Sequence, residues 1–404
     1  MVDYDLISHY KDPYPIYRQL AALKEPVFMK MKQKTSMGLD GIWYVTDYEQ
    51  AKKVFKNTKT ISKQGAALKP REHINLFDFA VLNTDGENHE RLRKIIQTVF
   101  TATAMHKIKN VIQTETEFLL SNLKTIQSFD FVSEFSDKLP LKVITQLIGF
   151  NTTKYEYIRK RSIVIADGFD SLIENDDNIA KQKQAFNEIL VLVDAELKRH
   201  HREMDNSFIS MLLMKQNNGE LSEKEVLAMV LFMLFAGHES TAYLLSSAIL
   251  LLLNHPEQLN VLRNGDEKTR ANAVEEILRY ESSTQRTSFR VNTSDITIGS
   301  TVIPKNSQIG IIINAVNRDP MIFQSPNDFI INRKPNRHLA FGLGTYNCIG
   351  QHLARMEVSV LIEHFWEIMP NVQLTIQGVS EADWRKNTFF RGLNTLVLKQ
   401  PPLK

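Results

Sequence analysis

The sequence predicts a mainly α fold, a helix-rich body with a long central helix and small peripheral β-sheets. Two observations support this expectation. From about residue 88 to residue 260, apolar residues recur at intervals of three and four, which is the spacing of one helix face. Runs typical of short strands lie instead near the two ends of the chain, at 41–45 and 296–313.

Composition places the chain among ordinary globular proteins. Of its 404 residues, 43% are hydrophobic and 24% are charged, and the net charge is +3, which is too weak to indicate a nucleic-acid or membrane-surface binder. The single cysteine excludes an internal disulfide framework and fits a reducing compartment. Because the first residues show no basic region followed by an apolar run, we expect no secretory signal and a cytoplasmic protein.

No repeat, low-complexity tract or glycine-rich linker marks a boundary, so we expect one domain over residues 1–404. Within it we expect a mixed α/β N-terminal part over about 1–60, a helical body over about 85–281, and a C-terminal part over about 282–404 that holds the cysteine. Asp47 should cap the helix after the first strand-like run. Further helices are expected over about 267–281 and from about 350, with a pair of strands at the C-terminus.

The segment 226–254 is apolar enough to be mistaken for a membrane span. Polar residues at 237–241 leave about ten apolar residues on either side, whereas a spanning helix needs about 20. We therefore predict a buried core helix. It should begin at Ser222, which forms a capping box with Glu225, and end before Pro256, a length of about 33 residues or about 50 Å.

The polar residues in the middle of this helix predict a site. A glycine inside a helix costs about 1 kcal/mol relative to alanine, and a buried carboxylate is costly unless it is paired. The segment 236–241 reads Ala-Gly-His-Glu-Ser-Thr, which sets the acid Glu239 beside two hydroxyls. A solvated kink or a hydrogen-bonded core network is the alternative.

The only cysteine, Cys348, lies in a glycine-framed loop at 341–350, Phe-Gly-Leu-Gly-Thr-Tyr-Asn-Cys-Ile-Gly. The glycines permit tight turns and a close approach of the backbone to a flat ligand. A helix is expected to follow, and its N-terminal field favours a thiolate, which is a nucleophile or a soft metal ligand. A lone buried cysteine that acts as a small hydrophobe is the alternative.

This loop resembles the haem-binding loop of the cytochrome P450 family, the haem-thiolate monooxygenases. Phe341, Gly344, Cys348 and Gly350 match its pattern F-x-x-G-x-x-x-C-x-G, and further motifs extend the resemblance from about residue 13 to residue 398. The resemblance implies haem b (iron protoporphyrin IX) with Cys348 as its axial metal ligand. Tyr346 departs from the family, which usually has a basic residue there to hold a haem propionate. A phenol can donate one hydrogen bond, but an ion pair is missing.

The polar segment of the long helix resembles the family's oxygen-binding motif A-G-x-[DE]-T-T. The resemblance implies that Glu239, Ser240 and Thr241 are catalytic and relay protons during dioxygen activation. Ser240 stands in place of the usual first threonine and lacks the methyl group that restricts the threonine rotamer. The acid–alcohol pair argues against the peroxide-using branch of the family.

Four residues resemble the family's partners of the haem propionates. His89 and Arg93 lie at positions i and i+4, and match its H-x-x-x-R helix, although such a pair alone usually marks a solvated helix face. Arg290 and His338 match two further partners. The resemblance therefore implies that His89, Arg93, Arg290 and His338 bind the cofactor.

A second set of matches is structural. Glu276 and Arg279 match the family's E-x-x-R, and Arg333 matches the arginine that completes that ion-pair cluster. As a bare pair, Glu276 and Arg279 would indicate only a surface salt bridge, of about 0.3–0.5 kcal/mol. The segment 317–320 (Asn-Arg-Asp-Pro) also fits, whereas Ser283 stands where proline is common.

The function implied is a monooxygenase that inserts one oxygen atom from dioxygen into an apolar small molecule, in secondary metabolism. No flavin or iron–sulfur module is recognisable, so electrons should come from a ferredoxin or flavodoxin with its reductase. His352, Arg355 and Lys94 either form the docking face or are ordinary solvated charges. Two alternatives remain: a non-catalytic haem sensor, which would not need a proton relay, and a haem-thiolate isomerase or C–C coupling enzyme.

The resemblance places the substrate pocket at 60–84, at 160–200, near Phe235 and Ala236, and at Phe389 and Phe390, although the last two could be plain core. The side chain of Arg286, in the same region, has two opposite interpretations. It is either solvated or salt-bridged, or it points into the pocket, where a substrate carboxylate or other acceptor would relieve an unpaired cation.

Overall fold

The computed structural model describes residues 6, 8–30, 40–64, 75–170, 176–288 and 290–401. The helices are α1 Tyr14–Ala22, α2 Tyr48–Lys56, α3 Gly86–Gln97, α4 Ala102–Leu123, α5 Leu139–Ile148, α6 Tyr155–Asp167, α7 Asp176–Arg202, α8 Phe208–Asn217, α9 Glu223–Asn254, α10 Pro256–Arg263, α11 Glu267–Tyr280, α12 Ile313–Val316 and α13 Gln351–Ile368. The strands are β1 Val27–Lys30, β2 Gly41–Val45, β3 Ile61–Ser62, β4 Ser128–Asp130, β5 Arg290–Asn292, β6 Ile296–Ile298, β7 Thr301–Ile303, β8 Gln308–Ile311, β9 Gln373–Leu374, β10 Asp383–Trp384, β11 Leu393–Thr395 and β12 Val397–Lys399. The mainly α fold is confirmed.

The largest sheet joins the N-terminal part of the chain to its C-terminal part. Its strand order is β1-β2-β8-β5-β3, so that strands from the N-terminal part pair with strands that follow α11. Only the β2–β8 pair is parallel among these pairings. This arrangement supports the single domain, with its three parts, that we propose from the sequence.

Smaller sheets and turns complete the periphery. β4, β12 and β9 form one sheet, and the pairs β6–β7 and β10–β11 form two others. β4 interrupts a region that the periodicity predicts to be almost entirely helical. The C-terminal strands β11 and β12 form as predicted, but they belong to different sheets. Asp47 caps α2 as expected, because its carboxylate accepts the Gln50 N–H at 2.8 Å.

The long helix α9 is the centre of the fold. The Ser222–Glu225 capping box is present, and the helix runs for 32 residues. By length and composition it could cross a membrane, but 72% of its most apolar 18-residue window is buried inside the protein. The prediction of a core helix is therefore confirmed.

The polar segment of α9 separates two apolar clusters. Residues 226–235 belong to one cluster, together with α7 and α8, and the apolar residues of 244–252 belong to the other, together with α4, α11 and α13. Gly237 lies between them, and a Cβ atom there would collide with the Ile144 side chain of α5. Close helix packing therefore explains this glycine, apart from any role in a site.

The buried ion cluster that the sequence indicates is present. The Glu276 carboxylate accepts from Arg279 Nε at 2.7 Å and from Arg333 Nε at 3.1 Å, and all three side chains are buried. Arg279 also donates to the Asn317 carbonyl at 3.0 Å, and Asn317 Oδ1 accepts the Leu339 N–H at 2.7 Å. The cluster thus fixes the segment that leads into the cysteine loop.

Candidate active site

The cysteine loop is a tight turn held by its own backbone. Gly342 and Gly344 have φ angles of 69° and 76°, which residues with side chains rarely adopt. The Cys348 N–H donates to the Phe341 carbonyl at 2.9 Å and closes the loop. Because α13 begins at Gln351, the predicted position of the thiol just before a helix N-terminus is confirmed.

The environment of the thiol indicates an internal cavity. Cys348 has accessible surface, yet burial raises the pKa of its thiol. The two facts agree if the sulfur faces an enclosed space. The Gly350 N–H and the charges of Arg93 and Arg355 oppose the rise of this pKa without cancelling it. Burial therefore outweighs the groups that favour the thiolate, whereas a coordinated metal ion would remove the proton.

One face of α9 also borders an enclosed space. Ala236 is exposed and Gly237 and Ser240 are partly exposed, whereas all residues at 241–250 are buried. Positions i, i+1 and i+4 share one side of a helix. Because α9 lies in the core, the surface of these three residues must face a cavity. Such a face of small residues allows a flat ligand to approach the helix closely.

Glu239 lies on a different side of α9 and is part of a buried ion-pair network. Arg159 of α6 bridges the Glu239 carboxylate and the Asp137 carboxylate, at 2.6 Å to each. Burial alone would raise the pKa of Glu239, but Arg159 and His238 together hold it well below its usual range. For Asp137 burial prevails over Arg159, and the pKa is raised. Thr241 is also buried.

The sequence did not reveal Arg159 or Asp137. Arg159 follows Ile158 on the buried face of α6, which continues at Ser162 and at 165–166. A cation on an otherwise buried helix face is a signal that a buried acid lies opposite. Which acid it meets depends on how α6 crosses α9, and that crossing cannot be read from either segment alone.

His89 and Arg93 both reach the cysteine loop from α3. Arg93 donates to the Asn347 carbonyl at 2.9 Å and to Asn347 Oδ1 at 2.5 Å. The two ring nitrogens of His89 lie 3.0 Å from the Val81 carbonyl and 3.4 Å from the Thr345 carbonyl. The pair therefore does not form the solvated helix face that its spacing alone would suggest.

Arg290 is buried next to a second cation that the sequence did not reveal, Lys63. Burial lowers the pKa of Arg290 to about 10. Asp85 accepts the Lys63 N–H at 3.0 Å and also accepts a short hydrogen bond from the Tyr346 phenol. The phenol, whose hydrogen bond we expected a propionate to receive, therefore donates to Asp85.

His338 is held by the protein at both ring nitrogens. Nε2 lies 2.9 Å from the Glu275 carboxylate, and Nδ1 accepts the Ala340 N–H at 3.2 Å. Glu275 also binds Arg355, at 2.6 and 3.0 Å. This arrangement leaves neither His338 ring nitrogen free for a propionate, and it commits Arg355 to an intramolecular ion pair.

Aromatic side chains from the predicted pocket segments meet in one cluster. Phe77 lies 6.1 Å from both Phe169 and Phe235, between ring centroids. Phe169 lies 6.2 Å from Phe389, which contacts Phe390 at 4.8 Å. Residues 65–74 and 171–175, which belong to the same predicted lining, lie outside the described residues.

Arg286 does not face a substrate as an unpaired cation. Its side chain is fully buried, and Nη2 lies 2.8 Å from Asp170 Oδ1. Nε donates to the Thr388 carbonyl at 2.7 Å, and Nη1 donates to the Tyr44 hydroxyl. The hypothesis that Arg286 recruits a substrate carboxylate is therefore wrong, and the salt-bridged alternative is correct.

The residues fit a haem group. Haem requires a protein ligand for its iron and cations for its two carboxylates, and buried charges are stable only when they are paired. Cys348 has accessible surface, and within the part of the chain that the structure describes Arg290 and Lys63 are buried cations without a full set of counter-charges. Ala236 and Ser240 provide the small-residue face that a flat ring needs.

Comparison with known proteins agrees with this site. The family model "Cytochrome P450" matches residues 17–368. Cytochrome P450 107B1 of Saccharopolyspora erythraea is 31% identical over 387 residues, covering 93% of this chain and 92% of that protein. The biotin biosynthesis cytochrome P450 of Bacillus subtilis is 30% identical, with coverages of 94% and 93%. The crystal structure of P450BioI in complex with hexadec-9Z-enoic acid ligated acyl carrier protein matches with a TM-score of 0.88 at 27% identity, covering 98% and 99% of the two chains.

Proposed function

The chain belongs to the cytochrome P450 family, and we propose that Cys348 is the axial thiolate of its haem b. The protein is a haem-thiolate monooxygenase, which transfers one oxygen atom from dioxygen to a small molecule. The observation that supports Cys348 is its accessible sulfur in a loop fixed by its own backbone. The bound haem supplies the chemistry of dioxygen activation, and the residues below bind the cofactor and move protons.

Arg93 and Arg290 are the proposed partners of the propionates. Arg290 is supported by its burial without an ion pair among the described residues, and Arg93 by its contact with the cysteine loop. Both ring nitrogens of His89 and of His338 lie within hydrogen-bond distance of protein groups, so these two histidines stay predictions from the sequence.

Ser240 is the proposed residue that delivers protons into the cavity, because its side chain is accessible there while Glu239 and Thr241 are buried. Glu239 is held ionised by Arg159, so it accepts a proton only when that ion pair loosens. Asp137 is the better proton acceptor of the two carboxylates, since its pKa is raised. The proposed order of the relay is uptake of a proton by Asp137, transfer to Glu239 as Arg159 shifts, and delivery by Ser240, with Thr241 as the next hydroxyl of the motif.

Two substitutions test this relay. Glu239→Gln should leave haem bound and slow turnover by about 10²–10⁴-fold, the usual contribution of a positioned proton-transfer group. Ser240→Ala should uncouple electron use from product formation and release peroxide. Ser246→Ala is the matched control, because Ser246 lies on the same helix with its hydroxyl bonded to the Ala242 carbonyl. Normal turnover and normal peroxide yield in both test variants would refute the relay.

The substrate class that we propose is apolar, with a role in secondary metabolism. The cluster of Phe77, Phe169, Phe235, Phe389 and Phe390 supports an apolar pocket, since aromatic side chains dominate such sites. Relatives include the polyketide biosynthesis cytochrome P450 PksS of Bacillus subtilis and a 6-deoxyerythronolide B hydroxylase. Spectral-shift titration with a library of apolar compounds tests the proposal, because a bound substrate displaces water from the iron.

For electron supply we propose a ferredoxin or flavodoxin with its reductase, and for location the cytoplasm. Lys94 and His352 are exposed and available to a docking partner. Arg355, which the sequence placed on the same face, is bound to Glu275 and contributes less free charge.

A further inference from the structure

Lys63 and Arg290 lie close together at one edge of the largest sheet. β3 pairs with β5 in antiparallel register, with Ile61 opposite Asn292 and Ser62 opposite Val291. Lys63 follows β3 directly, and Arg290 is the first residue of β5. Both side chains donate to the same residue, Ser288. Both side chains are buried, at 2% and 3% exposure.

Two buried cations in this arrangement require an anion. Like charges that lie close together repel each other, and an unpaired charge is costly to bury. Burial, together with the charge of Arg290, holds the pKa of Lys63 well below its usual range. Among the described residues the hydrogen-bond partners of both side chains are neutral: Lys63 Nζ donates to the Ser288 hydroxyl, and Arg290 donates to the Ser288 carbonyl at 3.3 Å.

Asp85 alone cannot balance the positive charges of Lys63 and Arg290. It is the carboxylate whose charge acts on both cations. Its oxygens already accept from the Lys63 and Gln64 N–H groups at 3.0 Å, and from the hydroxyls of Ser62 and Tyr346. One carboxylate against two cations leaves a net positive charge in a buried space.

We propose that Lys63 binds a haem propionate together with Arg290, and so supplies the cation that the cysteine loop lacks at Tyr346. The inference rests on the proposed haem site at Cys348. Tyr346 stands where the family usually has a basic residue, and its phenol is turned toward Asp85. Lys63 brings a positive charge to the same region from β3, a different element, and the propionate provides the anion that the pair of cations requires.

Haem loss from the holoenzyme tests the inference. Lys63→Met keeps the length of the side chain and removes its charge. Transfer of haem to excess apomyoglobin should then be about 10- to 100-fold faster, as expected for the loss of a hydrogen bond between charged groups. Lys63→Arg should stay within about threefold of the wild type, because it retains the cation. Lys59→Met is the matched control, since Lys59 is exposed nearby, and its rate should equal that of the wild type. A wild-type rate for Lys63→Met would overturn the inference.

A change in the cofactor separates propionate binding from a purely structural role. Wild type and Lys63→Met are each reconstituted with the dimethyl ester of haem, whose propionates carry no charge. The difference in haem loss between the two proteins should nearly disappear with the ester. A difference of the same size with haem and with its ester would overturn the inference. The reduced carbon monoxide complex reports separately on Cys348: a thiolate spectrum in the wild type preserves the proposed function even if Lys63 fails, and its absence overturns both.

Discussion

Replacement of Arg286 by leucine should lower the free energy of unfolding by about 3 kcal/mol. The guanidinium and the Asp170 carboxylate are both fully buried, and the substitution removes the Arg286 cation from beside Asp170. Breaking a buried pair by removing one partner costs about 3–5 kcal/mol. We place the cost at the lower end of this range because the Thr388 hydroxyl still donates to Asp170, at 2.9 Å.

The measurement is equilibrium urea unfolding of holoenzymes at equal haem loading, followed by far-UV circular dichroism. Asp170→Asn alone should also destabilise the protein, because it leaves Arg286 unpaired. The double variant, Arg286→Leu with Asp170→Asn, should cost about 2 kcal/mol less than the sum of the single variants, since no unpaired charge remains. Lys181→Ala is the control: it breaks an exposed pair with Asp177 and should change stability by less than about 0.5 kcal/mol.

A specific result would refute this reasoning. If Arg286→Leu unfolds within about 1 kcal/mol of the wild type and weakens only ligands that carry a carboxylate, then the guanidinium faces the pocket in the working enzyme. Additive effects of the Arg286 and Asp170 substitutions would also contradict the buried ion pair, because residues in direct contact should couple.

Two further predictions concern stability. Gly237→Ala should destabilise the holoenzyme by about 1 kcal/mol in urea unfolding, because the clash with Ile144 outweighs the gain in helix propensity, and a gain in stability would contradict the close packing of α5 and α9. Burial would raise the pKa of Glu275, but His338 and Arg355 lower it from 4.5 to about 2. The stability that the ionised Glu275 contributes is therefore present above about pH 4.5 and is lost as the pH falls toward 2. Glu275→Gln should therefore flatten the pH dependence of the unfolding free energy in that window, and an unchanged slope would argue against these ion pairs.

The features that the sequence predicts well are local ones. The start of α9 follows from Ser222 and Glu225, three residues apart, and the tight cysteine loop follows from its glycines. These motifs need no knowledge of where other segments lie. The pairing of Glu276 with Arg333, 57 residues away, was accessible only through the family resemblance.

What the sequence did not predict depends on contacts between distant segments. Lys63 meets Arg290 because β3 pairs with β5, across more than 200 residues. Arg159 meets Glu239 because two helices cross at that point. The direction in which a side chain points also cannot be predicted from its position in a motif. His338 points to Glu275, although its motif position suggested a haem propionate.

The carbon monoxide spectrum of the reduced holoenzyme tests the thiolate ligand most directly. Wild-type protein should show the red-shifted Soret band of a thiolate-ligated haem. Cys348→Ser should abolish that band, because Cys348 is the only cysteine in the chain and serine does not supply a thiolate. A red-shifted band that persists in Cys348→Ser, or one that is absent from haem-loaded wild type, would contradict the assignment of Cys348 as the axial ligand.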